Sequence, residues 1–164
     1  MKFTNLGNID KGRENLGREM PVSMYRLFQY KMRDVLEEKY GENEAIKIFR
    51  ESGKEAGIIF VGEVLDCSLD FSGFVAQLQE KLKDYKVGIL RVEKFEEDTG
   101  EAVLTVAEDL DCSGLEVTGK VMCHYDEGFI EGILSEYTKK PYQVTEVDCW
   151  GTGARVCRFE AIVK

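Results

Sequence analysis

The apolar period of this chain changes once along its length. Between Met24 and Leu82 apolar residues recur every third or fourth position, and between Val87 and Ala107 they alternate. These are the periods of a helix and of a strand with one buried face. Helices that come first and strands that follow leave no alternating βαβ units from which to wind a parallel sheet. The pattern predicts an α+β fold: long N-terminal helices packed on an antiparallel sheet, with one late helix before a C-terminal hairpin.

The elements follow from that reading. Residues 1–18 are polar, carry Gly7, Gly12 and Gly17, and read as an extended arm with room for one short strand. Pro21 opens the first long helix, with Ser23 as a candidate cap, and Gly41 stops it. A second helix starts at Glu42. Gly53 and Gly57 lie inside it, at a helix-propensity cost of about 1 kcal/mol each, which is tolerable where another helix packs closely. A third runs from Ser72 to Leu82. Val87–Phe95 and Ala102–Ala107 read as strands joined by a turn at Asp98-Thr99-Gly100. Asp126–Tyr137 is the late helix, and its Gly128 and Gly132, one turn apart, permit close approach to a neighbour. Tyr142–Trp150 and Arg155–Val163 form the last hairpin, with Gly151-Thr152-Gly153 at its tip.

A chain of 164 residues suits one domain, 1–164, with a sizeable core. Its formal net charge of −9 repels phosphate backbones and argues against direct binding of nucleic acid. No apolar run approaches the ~20 residues of a membrane span. The segment Met1–Leu6 lacks the apolar stretch of a signal peptide, so a cytosolic location is expected.

Five cysteines make an odd number, and a cytosolic chain keeps thiols reduced, which weakens a disulfide framework. Cys149 and Cys157 lie symmetrically about Gly153. In a regular hairpin they face each other at a Cα separation of roughly 4.5–5.5 Å. That spacing suits two thiolates on one metal, a cross-strand disulfide, or two small buried residues. Cys67 and Cys112 sit in matching Leu-Asp-Cys-Ser stretches and read as isolated buried cysteines.

The C-terminal third carries a resemblance. Cys123-His124-Tyr125-Asp126-Glu127-Gly128-Phe129-Ile130-Glu131-Gly132 is followed by Glu146-Val147-Asp148-Cys149, then by Gly151-Thr152-Gly153-Ala154-Arg155-Val156-Cys157-Arg158-Phe159. This resembles the 4-vinyl reductase domain family, also described as predicted hydrocarbon-binding proteins. With Gly17-Arg18 and Met20-Pro21-Val22, the likeness extends over roughly residues 17–163. It implies an α+β domain related to haem-nitric-oxide sensors and vesicle-tethering subunits. In sensor members, three cysteines and a glutamate hold a structural zinc beside a closed pocket for a phenol-like effector. By position those ligands fall on Cys123, Glu146, Cys149 and Cys157. Residues three apart on a regular strand face opposite ways, so Glu146 and Cys149 can share an ion only if the strand bends near Val147-Asp148. The sensors also place a His and a Trp at the phenol hydroxyl. Here the single His, His124, and the single Trp, Trp150, both lie among the cysteines, so phenol sensing does not carry over.

Pocket candidates are Phe71, Phe74, Leu78, Phe129, Ile133 and Trp150. No phosphate loop, dinucleotide fingerprint or Ser-His-Asp arrangement is present, and a closed four-ligand zinc has no open position for water. The sequence therefore points away from catalysis and toward a zinc-stabilised domain that encloses a small apolar or aromatic molecule, with the N-terminal helices as a homodimer face. The alternatives are a component of a tetrapyrrole vinyl reductase and a scaffold subunit like the tethering relatives.

Overall fold

The computed structural model describes residues 3–96 and 98–164. It divides into two compact units, Met1–Lys47 and Ile48–Lys164. The sequence readings at Met1 and Lys2 lie outside the described residues.

In the first unit Phe3–Leu6 forms a 3-10 turn and Ile9–Gly12 a short helix, α1. The arm holds no strand among its described residues. Asn8 explains the difference: its side chain accepts the Lys11 N–H at 3.0 Å and starts a helical turn instead. Helix α2 spans Val22–Tyr40. Pro21 is its flanking residue and makes no side-chain cap, and Ser23 lies inside the helix. The proline ring presets φ and has no N–H to leave unpaired, so Pro21 starts the helix without a hydroxyl cap. Gly41, at φ +85°, ends it. Met24, Leu27, Phe28, Met32 and Val35 are exposed along α2.

Helix α3, Glu42–Val64, runs on into the second unit. There α4 (Phe71–Asp84) begins at Asp70, whose carboxylate accepts the Gly73 N–H at 2.8 Å. Strands β1 (Ile89–Phe95) and β2 (Ala102–Ala107) follow, then α5 (His124–Thr138), β3 (Tyr142–Asp148) and β4 (Cys157–Val163). The sheet is antiparallel, in the order β1-β2-β4-β3. The last strand thus inserts between the first hairpin and its own partner. Alternation selects one buried face: Leu104 and Val106 on β2, Tyr142, Val144 and Glu146 on β3, and Cys157, Phe159 and Ala161 on β4. Helix α4 packs on β1 and α5 on β3.

The glycines settle how α3 meets α5. A Cβ at Gly53 or Gly57 would fall 2.0 Å from the Tyr125 carbonyl oxygen and 2.3 Å from that of Phe129. At Gly128 and Gly132 it would fall 1.9 Å from the Arg50 oxygen and 2.2 Å from the Lys54 oxygen. Each helix therefore sets glycines against the other's backbone. Arg50–Glu127 (2.6 Å) and Lys54–Glu131 (2.7 Å) flank the seam. No helix among the described residues is long and apolar enough to cross a membrane.

Candidate metal centre and apolar cavity

Four segments bring cysteines to one end of the sheet. The β3–β4 register shifts between Glu146 and Asp148, where a bend was required for Glu146 and Cys149 to turn to the same side. Beyond the shift, Cys149 leads into a 3-10 turn, Trp150–Thr152, that closes at Gly153 with φ +100°. The carbonyl of Gly151 accepts the N–H groups of Thr118 and Gly119, both at 2.9 Å. That ties the hairpin tip to the loop leading to Cys123, the residue that flanks α5. Cys157 opens β4 opposite Val106 of β2. Cys112 lies in the loop after β2, where one oxygen of Asp109 accepts the N–H groups of Asp111 (2.8 Å) and Cys112 (3.0 Å).

The four sulfurs of Cys112, Cys123, Cys149 and Cys157 all lie within 4.8 Å of one another, and all four residues are buried. Cys112 and Cys157 are 3.1 Å apart, Cys123 and Cys157 3.6 Å, and Cys123 and Cys149 3.9 Å. A tetrahedral zinc with Zn–S bonds near ~2.3 Å has S–S edges of about 3.8 Å. The donor set fits that ion in chemistry, size and burial. Every cysteine is a free thiol, and Cys67 stands apart, exposed. Without an ion the thiols share protons unequally. Hydrogen bonds from Cys112, Cys123 and Cys157 hold the Cys149 thiol far below its ordinary range, and sharing with Cys112 first, then Cys149 and Cys157, pushes Cys123 up.

Carboxyl groups crowd the same region. Oε2 of Glu146 accepts the Cys123 N–H at 3.1 Å, while its Oε1 is buried without a partner. Burial, then the charge of Cys149, pushes the Glu146 carboxyl up to about 8. Burial and the charge of Asp111 push Asp109 up to about 6. Asp126 is raised well above its ordinary value by burial, then by Asp111 and Asp109, and its Oδ2 has no partner. Asp109, Cys123 and Asp126 form a second close trio. Buried acids and thiols packed this densely are what a bound cation relieves.

Glu127 fixes the foot of α5. Its carboxylate accepts from Arg50 Nε at 2.6 Å and from the Glu146 N–H at 2.9 Å, and it meets His124 Nδ1 at 2.9 Å. His124 is thus spent on Glu127, beside the sulfurs and not among them.

An apolar cavity lies between α4, α5 and the sheet. Phe71, Phe74, Leu78, Phe129 and Ile133 line it, together with aliphatic residues of β1 and β2. It leaves about 40 Å³ for the centres of water-sized spheres, several times the roughly 10–15 Å³ that one water needs. Trp150 is not on its wall: the indole N–H donates to the Leu115 carbonyl at 2.9 Å and Arg155 lies over the ring. Asp109 and Asp126 stand at the wall next to the sulfurs.

Cys123, Cys149 and Cys157, singled out from the sequence, come together here, and Glu146 lies against them. Cys112, read as an isolated cysteine, joins them, and the Asp109 and Asp126 side chains also went unnoticed. The missing signal was strand order. Once β2 is known to pair with β4, a cysteine in the loop just past Ala107 falls at the Cys157 end of the sheet.

Comparison with known proteins agrees with this frame. The family model for the vinyl-4-reductase domain matches residues 102–163. The uncharacterised protein MJ1642 of Methanocaldococcus jannaschii is 30% identical over 148 residues, covering 90% of this chain and 80% of the relative. Among solved structures, a vinyl-4-reductase family protein from Methanocaldococcus jannaschii covers 100% of this chain and 99% of its own, with a TM-score of 0.62 at 17% identity. The phenol-responsive sensory domain of the transcription activator PoxR, solved with phenol, covers 90% and 76%, with a TM-score of 0.69 at 12% identity. The cysteines gathered at one end of β2 and β4, the helix that starts among them and the match across most of a relative's length make this chain a member of the vinyl-4-reductase domain family.

Proposed function

We propose that residues 1–164 act as one non-catalytic sensor-type domain, in which a structural zinc stiffens a fold that encloses a small apolar or aromatic molecule. The observation that carries the reading is the cavity itself: an almost wholly apolar space, walled by aromatic and aliphatic side chains and abutting a buried thiol cluster. Small-molecule sites are concave and mostly apolar. The PoxR sensory domain, of similar fold, holds phenol, which supports a ring-sized ligand here. Zinc is held in this reading by Cys123, Cys149 and Cys157, with a fourth donor from the two groups that flank them, Glu146 and Cys112. Four protein ligands leave no site for water, so the ion stabilises and does not catalyse. Free thiols require a reducing compartment, consistent with the cytosol.

A second copy of the chain is the partner we assign to α2. Its exposed row of Met24, Leu27, Phe28, Met32 and Val35 repeats at helical spacing, and Phe28 is 67% exposed. Apolar rows of that kind mark interfaces. Light scattering on the protein and on Phe28→Glu tests it: a dimer that the variant converts to monomer is expected, and a wild-type monomer at micromolar concentration rules it out.

The main test is elemental analysis of protein purified without chelator, combined with mass spectrometry of an organic extract and thermal shift against phenol, cresols, indole and straight-chain alcohols. One zinc per chain and stabilisation by at least one apolar compound are expected. Absence of metal refutes the zinc centre. Absence of both co-purifying and stabilising compounds refutes the pocket.

A further inference from the structure

We infer that Cys112 is the fourth ligand of the metal centre, completing an all-sulfur tetrahedron with Cys123, Cys149 and Cys157, and that Glu146 supports the site from outside it. This rests on the metal reading above and specifies its donor set. Three observations carry it.

The first is geometric. The Cys112 and Cys157 sulfurs, 3.1 Å apart, are inside the van der Waals separation of two sulfur atoms, and all four sulfurs fit within 4.8 Å. Residues that close share either a proton or an ion. The second is the loop that delivers Cys112. Asp109 accepts two successive N–H groups, those of Asp111 and Cys112, and Ser113 N–H donates to the Asp109 carbonyl at 3.1 Å. Glu108 takes a left-handed φ of +51° to enter this turn. Such a local cost at a non-glycine residue is retained where the conformation is used. What the turn achieves is to aim a fully buried thiol at the end of β4. The third is the state of Glu146. Its Oε2 already accepts the Cys123 N–H at 3.1 Å. A carboxylate that holds the backbone of a ligating residue orients that ligand, a role distinct from ligation. Oε1 of Glu146, buried and without a partner, is the competing donor, and the two donor sets differ in one countable atom.

Zinc K-edge X-ray absorption on the full-length zinc-loaded wild type counts that atom. Four sulfurs at ~2.3 Å are expected. Three sulfurs and one oxygen overturn the assignment of Cys112 while leaving the metal centre in place. Cys112→Ser and Glu146→Gln, measured by chelator competition and by visible absorption of the cobalt(II) form, give the second arm. Cys112→Ser is expected to lose at least ten-fold in zinc affinity and one thiolate's share of the sulfur-to-cobalt band. Glu146→Gln is expected to keep the full band and to lose less affinity than Cys112→Ser. The reverse order overturns the inference. If wild-type protein binds no zinc at all, the metal reading falls, and this assignment with it.

Discussion

The α3–α5 seam makes a sharp quantitative prediction. In Gly132→Ala, the added methyl would sit 2.2 Å from the Lys54 carbonyl oxygen, 3.0 Å from the Ile58 nitrogen and 3.1 Å from the Lys54 carbonyl carbon. All three are helix backbone, which cannot swing aside as a side chain can. Ordinary carbon–oxygen contact needs about 1 Å more, so the helices must separate locally. Overpacking of a tight interior costs about 1–3 kcal/mol, and here backbone must move, which places the cost at the top of that range or above. Better helix propensity returns about 1 kcal/mol. The net expectation is destabilisation by about 2–3 kcal/mol. At ~2–4 °C per kcal/mol for a chain of this size, the midpoint should fall by roughly 5–10 °C. Gly62→Ala is the internal control. It lies in the same α3 helix, and an added methyl there meets nothing within 4 Å. It gains propensity without a clash and should raise stability by up to about 1 kcal/mol. Urea and thermal unfolding of both variants, metal-loaded, read the signs. Equal signs, or a stabilised Gly132→Ala, would refute the close-packed seam.

Three further outcomes follow from buried side chains. Phe74, 1% exposed and stacked on Tyr137 at 3.9 Å between centroids, lines the cavity; Phe74→Ala should cost about 3–5 kcal/mol and shift ligand preference toward larger compounds, read by thermal shift across a size series. Burial raises the Glu127 carboxyl, but hydrogen bonds from His124, Arg50 and the Glu146 N–H outweigh it and leave the group below its ordinary value of 4.5. A depressed carboxylate stabilises above its unfolded value and loses that contribution as pH falls through the folded one. Glu127→Gln should therefore be about 2 kcal/mol less stable than wild type at pH 7, with the gap closing in acid; a gap independent of pH would argue against the ion pair. Asp126 is raised, by burial first, so its contribution is complete below 3.8 and lost as pH rises through the folded value. In chelator-treated protein Asp126→Asn should be at least ~1 kcal/mol more stable than wild type at pH 8 and equal to it near pH 3, by urea titration.

What was legible in the sequence was local. Helical and alternating periods marked the main elements, and the glycine pairs Gly53/Gly57 and Gly128/Gly132 announced a close helix contact because no other role suits glycine twice on one helix face. The pairing of Cys149 with Cys157 needed only hairpin symmetry. Cys112 was not legible, because its place depends on β2 lying beside β4, a contact between segments far apart in the chain. The N-terminal arm was misread for the opposite reason: one side-chain hydrogen bond, Asn8 to Lys11, outweighs the open glycines around it. The cavity could not be told from solid core, since Phe74 and Ile133 read the same whether they touch each other or leave a space.

Helix α5 places these features in mechanical series. Its flanking residue Cys123 belongs to the sulfur cluster, and Asp126, one turn in, stands at the cavity wall. Glu127 locks the same turn to α3 through Arg50 and to β3 through the Glu146 N–H. Gly128 and Gly132 then hold the next two turns against the α3 backbone, while Phe129, Ile130, Ile133 and Leu134 face the cavity. A rigid helix fixed at its foot and along one side cannot yield to a guest on the other side except by small rotation or sliding, and its foot is where the sulfurs are. Asp109 closes the loop, lining the cavity while its carboxylate holds the Cys112 N–H and lies 3.9 Å from the Cys123 sulfur. Within the proposed reading, then, metal and guest share structural parts and not only a domain. Whatever energy a guest spends in moving α5 or Asp109 must appear as a change in metal affinity, and the metal must alter guest affinity by the same factor.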